Sequence, residues 1–283
     1  MKTYNDVYLE ARRALRAAGV EAYGIEARIL LATAADKSVE DFLRDIRLYP
    51  GGDFEMRAQD YLSRRLAGEP AAYIAGSWEF HGLELEVNTS VLIPRSDTEA
   101  VTDAAIAFLQ GKSGARVLDL CTGSGCIGLA VAAAVPDCRV VLADIDRRAL
   151  MLARRNALKT KLSQRVLTLE ADALAPPSRQ LGLFDLIVSN PPYIPTGEIP
   201  ALDVSVRAYE PHLALDGGDD GLKFYRAVLG GWRGLLRQSG WLLFEVGETQ
   251  AEDVEKLMRL ASLRSLGRAK DSGGYDRVVY GRR

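Results

Sequence analysis

The spacing of apolar residues divides the chain into two parts joined by a connector. From Tyr4 to about Leu66, apolar residues recur three and four positions apart, which predicts a series of short amphipathic helices. Between residues 77 and 87, apolar and polar residues alternate around His81-Gly82, and this pattern predicts a β-hairpin. We therefore predict three regions: a helical N-terminal domain at residues 1–74, a β-hairpin connector at 75–96 and a larger domain at 97–283.

The third region alternates strand patterns with helical patterns, which is typical of a doubly wound α/β sheet. Runs such as residues 184–189 are mostly apolar, as expected of parallel strands that are buried on both faces. Near the end of the chain we predict strands at residues 241–246 and 277–280, with a helix between them at 249–262. Gly273-Gly274 marks a turn that would let the last strand enter the sheet antiparallel.

The strand predicted at residues 184–189 ends abruptly in Asn190-Pro191-Pro192-Tyr193. The two prolines stiffen the backbone and lack N–H groups, so the carbonyls after Asn190 have no strand partner. Ligands bind beyond the carboxyl ends of the strands in such sheets, and this tip offers an amide oxygen, the Pro191 carbonyl and the aromatic face of Tyr193. Because this set suits a flat substrate with an NH2 group, we predict that Asn190, Pro191 and Tyr193 are catalytic and that all four residues, Pro192 included, bind substrate. The alternative is an ordinary proline-rich turn, which is what most Asn-Pro pairs form.

A second motif indicates what reacts with the NH2 group. A strand at residues 116–120 is followed by Cys121-Thr122-Gly123-Ser124-Gly125 and an alanine-rich helical pattern, which lets backbone approach a nucleotide-like ligand closely. Dinucleotide-binding proteins use a similar turn, and Gly128 stands at the offset of their third glycine. However, Asp119 lies in the strand before the turn, and Asp144 ends the next strand, where its carboxylate could accept both ribose hydroxyls of an adenosine. Carboxylates disfavour a pyrophosphate but tolerate a sulfonium cofactor with an ammonium group, so we predict S-adenosylmethionine.

Composition narrows the function without identifying it. Lys and Arg total 36 against 38 Asp and Glu, a net charge of −2, whereas a protein that grips duplex DNA non-specifically is expected to carry a basic surplus. No apolar stretch is long enough to span a membrane, and the N-terminus lacks the apolar core of a signal peptide. Cys121, Cys126 and Cys138 form no C-x-x-C pair. We therefore expect a cytoplasmic protein with reduced thiols and with no metal, membrane or direct nucleic-acid partner.

The two motifs are accompanied by further characteristic segments between about residue 65 and the C-terminus. The further segments are Gly68-Glu69-Pro70, Tyr73-Ile74-Ala75-Gly76, Val91-Leu92-Ile93-Pro94-Arg95, Tyr209-Glu210-Pro211, Gly217-Gly218-Asp219-Asp220-Gly221-Leu222, Glu245-Val246-Gly247 and Asp276-Arg277-Val278-Val279. In combination they resemble the HemK/PrmC family, which are protein-glutamine N5-methyltransferases acting on peptide chain release factors. The Asn190 tip alone is shared with adenine methyltransferases, whereas the combination is far more specific.

The resemblance implies a seven-stranded, Rossmann-like methyltransferase sheet with its last strand antiparallel, S-adenosylmethionine as the cofactor and release factors as the partner. It also implies that the N-terminal helices dock the substrate protein, the alternative being a cap that merely packs. Arg12, Arg13 and Arg16 share one helical face, but such a run is usually solvated. The predicted cofactor-binding residues are Asp119, Cys121, Thr122, Gly123, Ser124, Gly125, Asp144, Asp172, Ala173 and Asn190. For Asp172, contact with the adenine amino group and a capping role at the next turn are equally favoured.

The implied reaction is methylation of the side-chain nitrogen of the glutamine in a Gly-Gly-Gln motif. Asn190 Oδ1 and the Pro191 carbonyl would accept the two amide hydrogens and stabilise positive charge as it develops on the nitrogen. Two alternatives stay open: an adenine-N6 methyltransferase acting on nucleic acid, and a nucleotide-binding or interaction module without activity.

Two positions depart from the family pattern. Many members have Gly where Cys121 stands, and many have Pro-Glu in place of Ser96-Asp97. Here Ser96 is followed three residues later by Glu99, which is a capping-box pattern. It predicts a helix with Ser96 as its N-cap.

Overall fold

The computed structural model describes residues 2–283, which divide into two compact units. One unit comprises the residues up to Ser77 together with Asp203–Tyr209, and the other comprises Trp78–Leu202 and Glu210–Arg283. In the described residues, no helix is both long enough and apolar enough to cross a membrane.

Five helices make up most of the first unit: α1 (Tyr4–Ala17), α2 (Tyr23–Ala34), α3 (Val39–Arg44), α4 (Phe54–Leu66) and α5 (Ala71–Ala75). The first begins with a capping box, in which the Thr3 hydroxyl accepts the Asp6 N–H and the Asp6 carboxylate accepts the Thr3 N–H. The ring of Tyr4 packs edge-on against Phe42 and Phe54, with centroids 5.5 and 4.8 Å apart. The predicted helical N-terminal region is thus confirmed.

The segment Asp203–Tyr209 belongs to this first unit although it lies far along the chain. Its short helix packs on the turn after α4: a Cβ built on Gly68 would lie 3.4 Å from Val204 Cγ1, and the Tyr209 hydroxyl donates to the Ala67 carbonyl at 3.3 Å. The chain therefore leaves the second unit after Leu202 and returns to it at Glu210. Sequence reasoning did not anticipate this excursion, because nothing in a four-residue helix identifies its distant partner.

The strands of the second unit form a hairpin and a seven-stranded sheet. They are β1 (Ser77–Phe80) and β2 (Leu83–Glu86) in the hairpin, then β3 (Arg116–Leu120), β4 (Arg139–Asp144), β5 (Val166–Glu170), β6 (Phe184–Ser189), β7 (Leu236–Glu245), β8 (Arg264–Lys270) and β9 (Asp276–Arg282). The helices of this unit are α6 (Glu99–Leu109), α7 (Cys126–Ala134), α8 (Arg147–Lys159), α10 (Lys223–Gly230) and α11 (Ala251–Leu260). The short helix of the first unit described above is α9 (Val204–Arg207).

The strands of the large sheet follow the order β5-β4-β3-β6-β7-β9-β8. The first five are parallel to one another, and β9 runs antiparallel between β7 and β8. The predicted hairpin, doubly wound sheet and antiparallel last strand are confirmed. Sequence analysis missed β8, because this edge strand is largely exposed and its residues 264–270 show no apolar alternation.

Helices cover both faces of the sheet, which explains why its central strands are apolar at successive positions. Val117 packs in the core on one face and Leu118 in the core on the other, and the neighbours Leu186 and Ile187 divide in the same way. The reversal of strand order beside β3 leaves the carboxyl ends of β3, β4 and β6 around one crevice.

The capping box predicted at Ser96 is wrong. Ser96–Thr98 form a turn of 3-10 helix, α6 begins at Glu99, and no side chain caps either start. The extra turn makes Glu99 the first residue of the helix instead of the third. Its carboxylate accepts the backbone N–H of His81 in the hairpin turn at 3.1 Å, so the hairpin uses the group that the capping box would need.

Candidate active site

A cavity lies at the carboxyl ends of the parallel strands, where the sheet order predicts a ligand site. Most of its wall comes from the loops after β3, β4, β5 and β6. The residues predicted to bind cofactor or substrate that line it are Cys121, Thr122, Gly123, Ser124, Asp144, Asp172, Ala173, Asn190 and Pro192. The predicted residues outside the lining are Asp119, Gly125, Pro191 and Tyr193.

The glycine-rich turn after β3 curls back through left-handed backbone. Its φ angles are 62° at Cys121, 53° at Gly123 and 85° at Gly125, a region in which glycine meets no steric penalty. This finding gives a physical reason why Gly is common at the Cys121 position in the resembling family. Gly125 is the N-cap of α7, and its N–H donates to the Thr122 carbonyl at 2.9 Å, beneath the cavity wall.

Asp119 lies behind this turn and supports it. Its Oδ2 accepts the Thr122 hydroxyl at 2.6 Å and the backbone N–H of Gly128 at 2.9 Å, while its Oδ1 has no hydrogen-bond partner in the described part of the chain. The side chain is fully buried, and this burial raises the pKa of the carboxyl to about 7 despite the two hydrogen bonds. Asp119 therefore joins the turn, through Thr122, to the first part of α7, through Gly128.

Asp144 connects the turn to the next strand. At the end of β4, its Oδ2 accepts the Gly123 N–H at 2.9 Å and its Oδ1 accepts the Asp146 N–H at 3.0 Å. Burial raises the pKa of this carboxyl, and the backbone hydrogen bonds partly offset that effect. Because the carboxylate also lines the cavity, it can accept hydroxyl groups of a ligand there.

The loop after β5 supplies the next part of the wall. Asp172 Oδ1 accepts the N–H of Leu174 at 2.8 Å, so the local turn that sequence analysis considered is present. Asp172 also lines the cavity, and its predicted contact with adenine stays a prediction. The carbonyl of Ala173 accepts the Trp232 indole N–H at 3.2 Å, which anchors this wall to the core.

At the tip after β6, the four predicted residues separate into two pairs. Both prolines are buried, but only Asn190 and Pro192 line the cavity, and the Tyr193 ring packs against the core. The Tyr193 carbonyl accepts the Gln250 side-chain N–H at 2.9 Å, and burial raises the pKa of the Tyr193 hydroxyl. These contacts fix the backbone of the tip. The predicted stacking of Tyr193 on a substrate stays a prediction.

The side chain of Asn190 has a defined polar neighbour. Its Nδ2 donates to Thr98 Oγ1 at 3.4 Å, and Thr98 is itself buried, at 2% exposure. This contact occupies the donor end of the amide and leaves Oδ1 as the acceptor that Asn190 can offer to a ligand.

Glu210 explains why the Tyr-Glu-Pro and Ile-Pro-Arg segments accompany the tip. Its buried carboxylate accepts the Ile93 N–H through Oε2 at 3.1 Å and pairs with the Arg95 guanidinium through Oε1. Pro94 and Pro211, the neighbours of this pair, both line the cavity. One buried carboxylate therefore ties two loops to the cavity wall.

Sequence reasoning assigned no site role to Thr98, Glu210 or Glu245. The available signals were the family-like segments that contain Glu210 and Glu245, and the place of Glu245 as a lone carboxylate next to the apolar stretch at residues 241–244. The polar contacts of Thr98 and Glu210 join positions 92 to 117 residues apart, which no local pattern reveals.

The donor and acceptor groups of the cavity fit S-adenosylmethionine. Asp144 suits the ribose hydroxyls, and the buried Ser124 hydroxyl on the cavity wall has no hydrogen-bond partner among the described residues. Apolar wall residues such as Ile145, Ala173 and Phe224 suit a purine ring. The fold and this cavity define a methyltransferase that uses S-adenosylmethionine.

Comparison with known proteins identifies the family. Residues 6–76 match the PrmC N-terminal domain and residues 96–205 match the methyltransferase small domain. The chain is similar to the release factor glutamine methyltransferase of Moorella thermoacetica, with 42% identity over 269 residues that cover 95% of this chain and 94% of the relative. The enzyme of the same name from Geobacter sulfurreducens is 40% identical over 270 residues, 93% of this chain and 91% of the relative. The chain belongs to the release factor glutamine methyltransferase family.

A solved structure supports the fold alone. The methyltransferase from Pyrococcus furiosus aligns with a TM-score of 0.51 and 17% identity over 79% of this chain and 98% of that one. Identity this low carries no statement about substrate.

Proposed function

We propose that this protein methylates the side-chain amide nitrogen of the glutamine in the Gly-Gly-Gln motif of peptide chain release factors, with S-adenosylmethionine as the methyl donor. The observation that carries the proposal is the Asn190 amide on the cavity wall, with its nitrogen turned to Thr98 and its oxygen left for a ligand. The relatives named above, which are release factor glutamine methyltransferases, support the choice of substrate.

To catalyse this reaction, the protein has mainly to orient the substrate amide and to supply two hydrogen-bond acceptors. An amide nitrogen is a weak nucleophile because its lone pair is delocalised into the carbonyl. When bound, S-adenosylmethionine supplies an electrophilic methyl group on a sulfonium centre. Asn190 Oδ1 and the Pro191 carbonyl accept the two amide hydrogens, so positive charge is stabilised where it develops as the N–CH3 bond forms and the S–CH3 bond breaks. One proton then leaves the nitrogen for water.

The stiff tip supplies the orientation. The prolines restrict the backbone after Asn190, and the Gln250 contact to the Tyr193 carbonyl holds the far side of the tip. A substrate amide bound to two fixed acceptors has a fixed plane, and such positioning is a large part of the acceleration that an enzyme can supply.

In the N-terminal unit, docking of the release factor remains part of the proposal. Arg12 and Arg16 lie over the Tyr23 ring, with guanidinium carbons 5.4 and 5.8 Å from its centroid. Because both are engaged within the unit, the basic run by itself gives docking little support. A substrate that acts in translation places the reaction in the cytoplasm, and we propose no metal, membrane or direct nucleic-acid partner.

The decisive experiment offers the purified protein labelled S-adenosylmethionine with each candidate substrate separately. We expect label in a release factor and none in the same factor when the Gly-Gly-Gln glutamine is changed to Ala. An adenine-containing oligonucleotide serves as the substrate of the alternative adenine-N6 function. Label in the oligonucleotide but not in the release factor would refute the proposal.

A further inference from the structure

Glu245 is a buried carboxylate for which the site described so far has no use. It is the last residue of β7, beside the carboxyl end of β6, and it is only 1% exposed. Its Oε2 has no hydrogen-bond partner among the described residues. Burying a carboxylate is costly unless polar groups stabilise it, so its neighbours indicate what it does.

Strand register places Glu245 beside Asn190, because Ser189 of β6 pairs with Phe244 of β7 and these two residues come next. The groups that stabilise its charged form are the Thr98 hydroxyl, the Arg277 guanidinium and the Asn190 amide. Arg277 is shared, because it also bonds Asp271 at 2.9 Å and the Val246 carbonyl at 3.2 Å. The other titratable groups that face Glu245 from the surrounding elements are Asp97, Cys126, Tyr193 and Tyr225.

We propose that Glu245 is a positioning residue: with Thr98, its carboxylate holds the nitrogen end of the Asn190 amide and thereby presents the oxygen end to the substrate. The inference rests on the proposed function, in which that oxygen accepts a hydrogen of the substrate amide. A carboxylate can only accept hydrogen bonds, so an amide oxygen turned toward it would be repelled. A flipped Asn190 would offer its NH2 group to the NH2 group of the substrate, and two donors cannot pair.

Protonation of Glu245 should release this control. A protonated carboxyl can donate to Asn190 Oδ1 and so stabilise the flipped amide. Burial raises the pKa of Glu245 to about 7, against the lowering effects of Thr98, Arg277 and Asn190. Since the charged form is the active one, kcat should fall as the pH falls through about 7.

Glu245→Gln keeps the size of the side chain but offers a donor as well as an acceptor. We expect kcat to fall about tenfold, the effect of one orienting hydrogen bond, with the KM for S-adenosylmethionine unchanged and the acidic limb of the pH profile lost. Glu248→Gln, the same substitution at an exposed position three residues along, should behave like wild type.

A double-variant cycle separates orientation from structural support. Asn190→Asp presents an oxygen whichever way it turns, so it should have no acidic limb due to an amide flip. In the Asn190→Asp background, Glu245→Gln should cause no further loss of kcat and should even raise it, because it removes a like charge beside the new carboxylate. Glu245→Gln in wild type and in this background should therefore act in opposite directions.

The assay is steady-state methylation of a release factor, which gives kcat and the KM for S-adenosylmethionine, between pH 5.5 and 8.5, with thermal unfolding of each variant as a check on folding. Equal losses from Glu245→Gln in both backgrounds would overturn the inference while leaving the proposed function intact. If Glu245→Gln does not fold, the wild-type profile still decides, because a kcat that stays constant from pH 8.5 to 5.5 would overturn the inference. Wild-type protein that labels an oligonucleotide instead of a release factor overturns the proposed function, and the inference falls with it.

Discussion

Replacing Gly128 by Ala tests whether the close packing of α7 on the sheet shapes the cofactor turn. A Cβ at this position would clash with Leu142 Cδ2 and would lie 3.0 Å from both Asp119 Oδ2 and Val140 Cγ1. Leu142 and Val140 are buried side chains of β4, so neither can move aside freely. Asp119 is the group that accepts the Gly128 N–H and the Thr122 hydroxyl, so its displacement would reach the turn itself.

The size of the effect follows from two opposing terms. Gly to Ala inside a helix stabilises by roughly 0.5–1 kcal/mol, whereas one extra carbon in a close-packed core costs about 1–3 kcal/mol. Strain on the Asp119 hydrogen bonds adds to the cost, because a hydrogen bond contributes about 0.5–1.5 kcal/mol when its acceptor is neutral and about 1.5–3 kcal/mol when it is charged. We therefore expect a net loss of about 1–3 kcal/mol in the free energy of unfolding and about tenfold weaker binding of S-adenosylmethionine, the equivalent of roughly 1.4 kcal/mol.

Urea unfolding and calorimetric titration measure these two quantities directly. Gly230→Ala is the matched control, since Gly230 ends α10 and a Cβ there would meet nothing within 4 Å. It should leave stability unchanged or raise it by up to about 1 kcal/mol. If Gly128→Ala unfolds at the wild-type urea concentration and binds S-adenosylmethionine with wild-type affinity, the close approach of α7 does not shape the turn.

Three further predictions concern single carboxylates and the tip. Asp144→Ala should weaken S-adenosylmethionine binding about 10- to 100-fold, because it removes charge-assisted hydrogen bonds worth roughly 1.5–3 kcal/mol; unchanged affinity by calorimetry would mean that Asp144 is not the ribose ligand. Asn190→Ala should slow single-turnover methyl transfer by about two to three orders of magnitude, the usual loss for one preorganised partner, while cofactor affinity changes little; a wild-type rate would make Asn190 a structural turn residue. Burial raises the pKa of Asp119 from 3.8 to about 7, so the folded protein keeps a proton that the unfolded chain releases, and this group's contribution to stability should decline as the pH rises from 4 to 7. Asp119→Asn should flatten that part of the stability profile in urea unfolding at pH 5, 6 and 7, and an unchanged slope would contradict the assignment.

Local sequence patterns predict those structural features of this protein that depend on residues close together in the chain. The run at residues 184–189 is mostly apolar because both faces of the strand are covered, and the same physics predicts β3 and β4. Asp144 and Asn190 could be found because each follows a buried strand, and the carboxyl ends of parallel strands share one edge. The capping box predicted at Ser96 is absent, because Ser96–Thr98 form a 3-10 turn instead and the Glu99 carboxylate accepts the His81 N–H.

The features that could not be predicted depend mainly on contacts between residues that are far apart in the sequence. Glu210 reaches Ile93 across 117 positions, and Thr98 reaches Asn190 across 92, so these contacts exist only once the sheet has formed. The motif Tyr209-Glu210-Pro211 is conspicuous in the sequence, but its physical role depends on a partner that the sequence does not identify. The edge strand β8 was missed for a related reason, since an exposed strand leaves little apolar signal.

Three buried carboxylates lie next to residues of three different parts of the cavity wall. Asp119 accepts hydrogen bonds from Thr122 and Gly128, Glu210 accepts the N–H of Ile93 in the adjoining loop, and Glu245 lies beside Asn190 at the ends of two paired strands. In its ionised form each of these groups accepts hydrogen bonds and never donates, so that form favours only one orientation of the backbone or amide group that it meets. An Asn or Gln in the same place would be as large and less costly to bury, but it could pair with either orientation. An ionised carboxylate thus costs more to bury but allows a single hydrogen-bonding geometry. Replacing it by the neutral amide of the same shape separates the cost of the charge from its effect on geometry at all three positions.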